Sequence, residues 1–377
     1  MKLAVVVPFL SNGGAERVMF NLALYFKQHD IEVHIIAASD DAPNRALLPA
    51  DISFYTLNNR SPLSGPSFFL NTKRLIPILK KIEPDLVLTT SDYLNAAVLM
   101  VRKFTNLKYK VVVRLEVHIG NYLQDLQFKS RLLLKQIHKF IVRNADAIVG
   151  VSRGVTENFC ELYNIPASSS KALTIYNPIF ENSIIDDAAL VPSDPLFNKT
   201  AINIITVGRL IRQKDQVTLL KAFSKFKIGY PAATLFMIGE GPEEKQLKDL
   251  AKNLEIDKSV IFLGYKKNPY SFVSKCDLFV LSSIYEGFGN VLVESLAVGT
   301  NVVSTDCPSG PAEILGNGEY GFLCSPENDT ELADTMSKAL QNPFQKEKLV
   351  NRAKEFSIEG SGADFIKLFA KLLLIKD

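Results

Sequence analysis

No stretch of this chain comes near the roughly 18 to 20 consecutive apolar residues that a membrane-spanning helix needs, so no segment reads as a transmembrane span. The N-terminal apolar run, Leu3 to Val7, is only a strand's length and enters a Ser-Asn-Gly-Gly loop. It lacks the longer core and small-residue cleavage site of a signal peptide. Cysteine is scarce: Cys160, Cys276, Cys307 and Cys324 show no C-x-x-C spacing and no neighbouring histidine. That pattern speaks against a metal centre or a catalytic thiol and reads as reduced, mostly buried thiols of a cytosolic protein. The G-x-G-x-x-G fingerprint is missing, which argues against a nicotinamide-dependent dehydrogenase. No repeat of solenoid length and no low-complexity tract appears, and Ser61 to Pro66 is a short loop.

What the chain does have is ordinary globular composition: 377 residues, 47% hydrophobic and 22% charged, enough for two or three domains with ample core. The net charge of +3 hides an asymmetry. Residues 60–145 hold fifteen Lys/Arg against five Asp/Glu, leaving the remainder acidic. A basic half suits an anionic partner such as a membrane surface, a nucleic acid or a phosphorylated substrate. Its sharpest piece is Lys129 to Arg143. On a helical wheel Leu133, Leu134, Ile137, Phe140 and Ile141 fill one arc, and Arg131, Lys135, His138, Lys139 and Arg143 the opposite one. The plain reading is a surface helix with its apolar stripe on the core; a membrane-facing role is the alternative.

Two stretches repeat the order strand, turn, helix, strand. The first opens with Leu3 to Val7, the Gly13-Gly14 loop and a helix from about Ala15 to His29. Strands are expected at Val33–Ile36, Leu86–Thr89, Val111–Val113, Ala147–Val151 and Leu173–Tyr176. The second opens with Ile202–Val207, followed by strands at Thr234–Ile238, Val260–Leu263, Leu278–Leu281 and Val302–Ser304. Alternating strands and helices mean parallel sheets covered on both faces. The expected fold class is therefore α/β, with two doubly wound Rossmann-like domains facing each other across a ligand cleft. Its expected parts are an N-terminal domain over 1–183, a linker over 184–200, a C-terminal domain over 201–356, and a C-terminal helix within 357–377 that packs back on the first domain.

The most informative segment is Tyr285-Glu286-Gly287-Phe288-Gly289-Asn290-Val291-Leu292-Val293-Glu294. An apolar strand precedes it, and a short helix stopped by Gly299 follows from within it. Glu286 thus falls in the loop at a strand's carboxyl end and Glu294 inside the next helix. The first N–H groups of that helix attract anions. Two carboxylates beside an anion site make sense for a ligand carrying both a diphosphate and hydroxyls, as a nucleotide-sugar does. Alone, a Glu at such a junction is often a cap, and one in a helix is often solvated. Gly208-Arg209-Leu210 ends another strand with Lys214 close behind, a guanidinium fork and a flexible ammonium suited to a diphosphate, or else surface charge. Gly13-Gly14 permits close backbone approach. Gly239-Glu240-Gly241-Pro242 is a strand end and tight turn that could border a base.

Taken together, Gly13-Gly14-Ala15-Glu16-Arg17, Gly208-Arg209-Leu210 with Lys214, Gly239-Glu240-Gly241-Pro242 and the Glu286/Glu294 pair resemble the retaining GT-B glycosyltransferases of family 4. Tyr176-Asn177-Pro178 and Ser309-Gly310-Pro311-Ala312-Glu313 are similar to that family's bacterial surface-polysaccharide members. The resemblance implies that Arg209 and Lys214 bind the donor diphosphate, that Glu294 takes the ribose hydroxyls, and that Glu286 contacts the donor sugar. It also implies that backbone groups at Asn290, Val291 and Leu292, with Gly14, hold phosphate or sugar oxygens, with Gly208 and Glu240 lining the donor site. A first-domain histidine is common in relatives, and here Arg114, Glu116 and His118 are all candidates: His118 or Glu116 for the catalytic region, Arg114 and Glu116 for the acceptor region, with a plain loop cap as the other reading of His118. The chain has no Asp-x-Asp for a metal bridge, so cations would stabilise the leaving group. No metal and no cofactor are implied; the nucleotide-sugar is a substrate.

The expectation is a cytosolic hexosyltransferase, peripheral on the inner membrane face. It would move a hexose or N-acetylhexosamine from a nucleotide-sugar, foremost a UDP-sugar, to a lipid-linked saccharide in surface polysaccharide (lipopolysaccharide or capsule) biosynthesis, with no nucleic acid as partner. The alternatives are a nucleotide-sugar epimerase or hydrolase on the same fold, which would turn over donor without an acceptor, and a non-catalytic sugar-nucleotide-binding partner.

Overall fold

Leu3, Ala4, Val5, Val6 and Val7 are apolar at every position, and each is 1% exposed or less. Such a run suits a strand covered on both faces, as in a parallel sheet. The computed structural model describes residues 1–10, 13–39, 43–58, 67–166, 169–190 and 201–374. They divide into two units, Met1–Pro178 with Ile358–Asp377, and Ile179–Ser357.

In the first unit the strands are β1 (Lys2–Val7), β2 (Glu32–Ala37), β3 (Ser53–Thr56), β4 (Leu86–Thr90), β5 (Lys110–Leu115), β6 (Ala147–Gly150) and β7 (Ala172–Thr174). They form one sheet in the order β3-β2-β1-β4-β5-β6-β7, and every pairing is parallel. The order reverses between β1 and β4. Helix Ile358–Leu374 belongs to this unit and packs on helix Gly14–Gln28, with the Phe26 ring 6.1 Å from Phe365 and 5.2 Å from Phe369.

The second unit holds β8 (Asn203–Val207), β9 (Thr234–Ile238), β10 (Val260–Gly264), β11 (Leu278–Leu281), β12 (Asn301–Thr305) and β13 (Phe322–Cys324). Their order is β10-β9-β8-β11-β12-β13, again parallel throughout. Leu235, Met237, Leu278 and Val280 pack with Phe223 and Leu332 from flanking helices in one core. The reversal falls between β8 and β11, and in such sheets ligands bind beyond the strand carboxyl ends at that point.

Three expectations change. The span 184–200 is not simply a linker: Asn182–Ala189 is a helix. Ile184 and Ala188, one turn apart, are buried among its acidic residues, and Asn268 and Ser274 donate to the carbonyls of Asp187 and Ala188. Residues 191–200 lie outside the described residues, as do 61–66. His138 is not on the charged outer arc but wholly buried, with Nε2 at 2.9 Å from Asp92 and Nδ1 at 2.6 Å from the Tyr163 hydroxyl. Strands β3 and β13 carry no apolar run long enough to announce them, since each is a short edge strand.

Candidate active site

Glu286 stands in the loop after β11 and is 5% exposed. A buried carboxylate requires donors, and two reach the same oxygen. Lys214 Nζ lies 2.5 Å from Oε1, and the Ser283 hydroxyl donates to it at 2.6 Å. Lys214 comes from the short 3-10 turn Arg212–Lys214 after β8, so this ion pair bridges the two loops that flank the strand-order reversal. Backbone bonds fix both loops. Ser282 donates to the Lys214 carbonyl at 2.8 Å, and Ile284 N–H to the Gln213 carbonyl at 2.8 Å. Glu286 N–H donates to Pro308 at 3.2 Å. Both side-chain bonds fall on Oε1, so Oε2 has no side-chain donor among the described residues. Lys214 has three N–H donors and uses one here.

Arg209 is exposed, with no ion pair among the described residues, while its carbonyl accepts from Gln216 at 2.9 Å. The loops after β8 and β9 touch backbone to backbone: a Cβ on Gly239 (φ 135°) would lie 1.9 Å from the Gly208 carbonyl oxygen. Leu210 N–H donates to Glu240's carbonyl at 2.9 Å, while the exposed Glu240 carboxylate accepts from Tyr265 N–H at 3.2 Å. The loop after β11 is equally tight. Gly310 (φ 92°) lies against Phe288, whose carbonyl oxygen would be 1.9 Å from an added Cβ.

Helix Asn290–Ala297 starts after Gly289, which has φ 94° and offers no side-chain cap. Of the three backbone groups expected at the donor, Leu292 N–H is already used by the Gly289 carbonyl at 2.8 Å. Val291 N–H has no partner among the described residues. Glu294, half-buried on the helix, accepts from the Tyr270 hydroxyl at 3.1 Å. The Cys307 thiol is pushed up by burial and then by the charge of Glu286.

In the first unit Gly14 is the first residue of helix Gly14–Gln28 at the carboxyl end of β1. Arg114, at the end of β5, is 1% exposed, and its guanidinium is taken up by Glu116 and by Asn177 Oδ1. Burial lowers its pKa, while the charges of Glu116 and Glu16 oppose that shift. Arg114 therefore orients Glu116, whose side chain is 24% exposed, and does not itself face outward. His118 caps helix Ile119–Asp125, its Nδ1 accepting from Asn121 N–H at 3.3 Å. Desolvation lowers its pKa, which favours the neutral ring that accepts at Nδ1.

Comparison with known proteins settles the class. The family model for Glycosyltransferase Family 4 matches residues 12–181, and that for Glycosyl transferases group 1 matches residues 191–356. The chain is 30% identical over 362 residues, 94% of each chain, to the N-acetylgalactosamine-N,N'-diacetylbacillosaminyl-diphospho-undecaprenol 4-alpha-N-acetylgalactosaminyltransferase of Campylobacter jejuni. This chain belongs to the family 4 glycosyltransferases. It is a hexosyltransferase, and it is 28% identical, over 60% of its own length and 65% of the relative's, to the lipopolysaccharide core biosynthesis glycosyltransferase LpsE of Rhizobium meliloti. Its GT-B fold matches Anabaena HepE solved with UDP, with a TM-score of 0.79 at 19% identity, covering 98% of this chain and 100% of that one. None of its helices among the described residues is long and apolar enough to cross a membrane.

Two residues of this glycosyltransferase's site escape a sequence reading. Ser283 shows only as a polar pair, with Ser282, ending an apolar strand. Tyr270 reaches Glu294 from 24 residues upstream and leaves no local signal.

Proposed function

We propose that this glycosyltransferase is retaining and metal-independent, and that it moves a hexose or N-acetylhexosamine from a UDP-sugar to a lipid-linked saccharide in surface polysaccharide biosynthesis. The observation that carries the reading is the Lys214–Glu286–Ser283 cluster bridging the loops after β8 and β11. It joins a cation for a diphosphate to a fixed carboxylate for a sugar hydroxyl, with the exposed Arg209 as a second cation. Glu286 would take a donor-sugar hydroxyl on Oε2, and Glu294, held by Tyr270, would take the ribose hydroxyls. The C1–O bond to the diphosphate breaks while the acceptor oxygen bonds C1 on the same face. The acceptor's proton passes to the departing phosphate oxygen, and Lys214 and Arg209 stabilise the charge that develops there.

The lipid-linked acceptor is supported by the named substrate of the Campylobacter relative, and UDP by the ligand of the Anabaena structure. The protein would work as a peripheral enzyme on the inner face of the cytoplasmic membrane, without a cofactor. The deciding experiment has two steps. Thermal shift with UDP, GDP, ADP, CMP and NAD should show UDP selectivity, a ligand at about 100 times its dissociation constant adding about 2.7 kcal/mol. Radiolabelled UDP-sugars are then offered with membranes, and the anomeric configuration of the product is read by NMR. A GDP-selective shift overturns the donor, label on soluble acceptors alone overturns the acceptor, and an inverted anomer overturns retention.

A further inference from the structure

Strands β4 and β5 of the first unit lie side by side in register, with Thr90 opposite Arg114. Two residues beyond each stands a carboxylate, Asp92 after β4 and Glu116 after β5. Their side chains are 18% and 24% exposed, and a buried partner anchors each from behind. Arg114 holds Glu116. His138, from helix Phe128–Asn144, holds Asp92: its Nε2 lies 2.9 Å from Oδ1, and its Nδ1 bonds the Tyr163 hydroxyl at 2.6 Å. An ionised carboxylate only accepts, so Nε2 carries a hydrogen. No side-chain donor reaches Asp92 Oδ2 among the described residues. The same end of β4 is unusual in other ways. Ser91 holds φ 74° although it carries a Cβ, a strain that gathers at functional sites. The Thr89 and Thr90 hydroxyls and both amide atoms of Asn95 are buried without a hydrogen-bond partner among the described residues, and such groups are rare. Tyr93 and Tyr122 are half-buried. Burial, then the charge of Asp92, raises the pKa of both, which puts two phenol rings near that carboxylate.

We infer that Asp92 and Glu116 form a subsite for the hydroxyl groups of the acceptor saccharide, with His138, Tyr163 and Arg114 as positioning residues. A carboxylate tethered through one oxygen keeps the other for a second donor, and the hydroxyls of a pyranose supply such donors. Two carboxylates repel phosphate and favour a neutral polyol. Phenol rings beside them offer flat apolar surface to the C–H face of a sugar. Burying an imidazole and a phenol hydroxyl is costly unless both are bonded, and here the chain of bonds ends on a carboxylate that still meets solvent. His138 touches no ligand; it sets the direction of Asp92, and Tyr163 fixes the ring. The inference rests on the proposed transfer to a saccharide and names the first-unit groups that hold that saccharide.

The test is saturation-transfer NMR on the full chain, without donor, using the methyl α-glycoside of N-acetylgalactosamine as the probe. The unmodified chain should bind the probe, and Asp92→Asn and Glu116→Gln should each weaken binding about ten-fold or more. Glu286→Gln, in the second unit, should bind it undiminished. Asp92→Asn keeps its size and can still accept from His138, so the fold is not at stake. His138→Leu should lose binding as Asp92→Asn does. His138→Gln, whose amide can still donate to Asp92, should restore binding to within a few-fold. A histidine that only joins helices would change the melting temperature and leave probe binding alone. With radiolabelled UDP-sugar and membranes, Asp92→Asn should raise the acceptor KM and leave the donor KM unchanged. No binding by the unmodified chain, undiminished binding by either carboxylate variant, or loss in Glu286→Gln alone overturns the inference. If the probe behaves as expected while UDP gives no shift and membranes take no label, the transfer reading fails and the saccharide subsite stands. If UDP shifts and label transfers while the probe ignores Asp92, the subsite fails and the transfer reading stands.

Discussion

At Glu286 a single oxygen carries both an ammonium and a hydroxyl, so the carboxylate is rigid before any ligand arrives. Preorganised charge of this kind acts on the transition state more than on binding. Glu286→Gln is therefore expected to lower kcat/KM by about 10² to 10³ while leaving the UDP dissociation constant within about ten-fold. Lys214→Ala should weaken UDP itself. Steady-state kinetics beside calorimetric UDP titration separates the two, and similar losses of UDP affinity in both variants would remove the distinct role given to Glu286. His118 makes a second residue-scale case. Its folded pKa is lowered from 6.5 by desolvation, and a protonated ring could no longer accept from Asn121. The stability it contributes is present above pH 6.5 and is lost as pH falls from there through its folded pKa. His118→Asn, which keeps a capping oxygen, should flatten that acid limb in urea melts compared at several pH values. An identical limb in the variant would assign it to other groups.

The loops that present these side chains are held by backbone contact, and glycine is what allows it. Gly310 has φ 92°, and a Cβ there would sit 1.9 Å from the Phe288 carbonyl oxygen. Neither atom can rotate away. Gly310→Ala should cost about 3 kcal/mol or more and shift the loop bearing Glu286, lowering turnover with it. Asp215 offers a milder contrast: it has φ 45° and caps helix Gln216–Gly229 through Thr218 N–H. Asp215→Ala loses the cap and keeps the strain, about 1–2 kcal/mol, whereas Asp215→Gly should lose only a few tenths. Equal losses in chemical denaturation would assign the cost to the lost cap and none to the backbone angle. The sequence already shows most of this scale. Buried strands such as β1, β9 and β11 are unbroken apolar runs, and the Glu286 segment follows one of them directly. What it hides depends on distant partners. Tyr270 meets Glu294 only through the fold, His138 sits at an apparently polar wheel position because Asp92 and Tyr163 wait inside, and helix Asn182–Ala189 is betrayed by two apolar residues among acids.

At the scale of the whole chain, the first unit is completed by residues that follow the second in sequence. The N–H groups of Ile179 and Phe180 both donate to the Phe356 carbonyl at 2.9 Å, and Phe180 pairs with Ser357. The two ends of the second unit therefore run side by side, and helix Ile358–Leu374 returns to helix Gly14–Gln28 more than 300 positions away in sequence. Phe369 is fully buried there, its ring 5.2 Å from that of Phe26. Phe369→Ala removes one buried ring from that contact, a loss of about 3–5 kcal/mol, large against the roughly 5–15 kcal/mol of a typical domain. Hydrogen exchange should quicken in Gly14–Gln28 as well as in Ile358–Leu374, because the two share one packed surface. Lys214, Glu286 and Glu294, the residues proposed to hold the nucleotide-sugar, lie within Ile179–Ser357, so the UDP thermal shift should persist at temperatures where that unit stays folded. Faster exchange confined to the C-terminal helix would show instead that it is a detachable appendage, and that the first unit's sheet is stable without it.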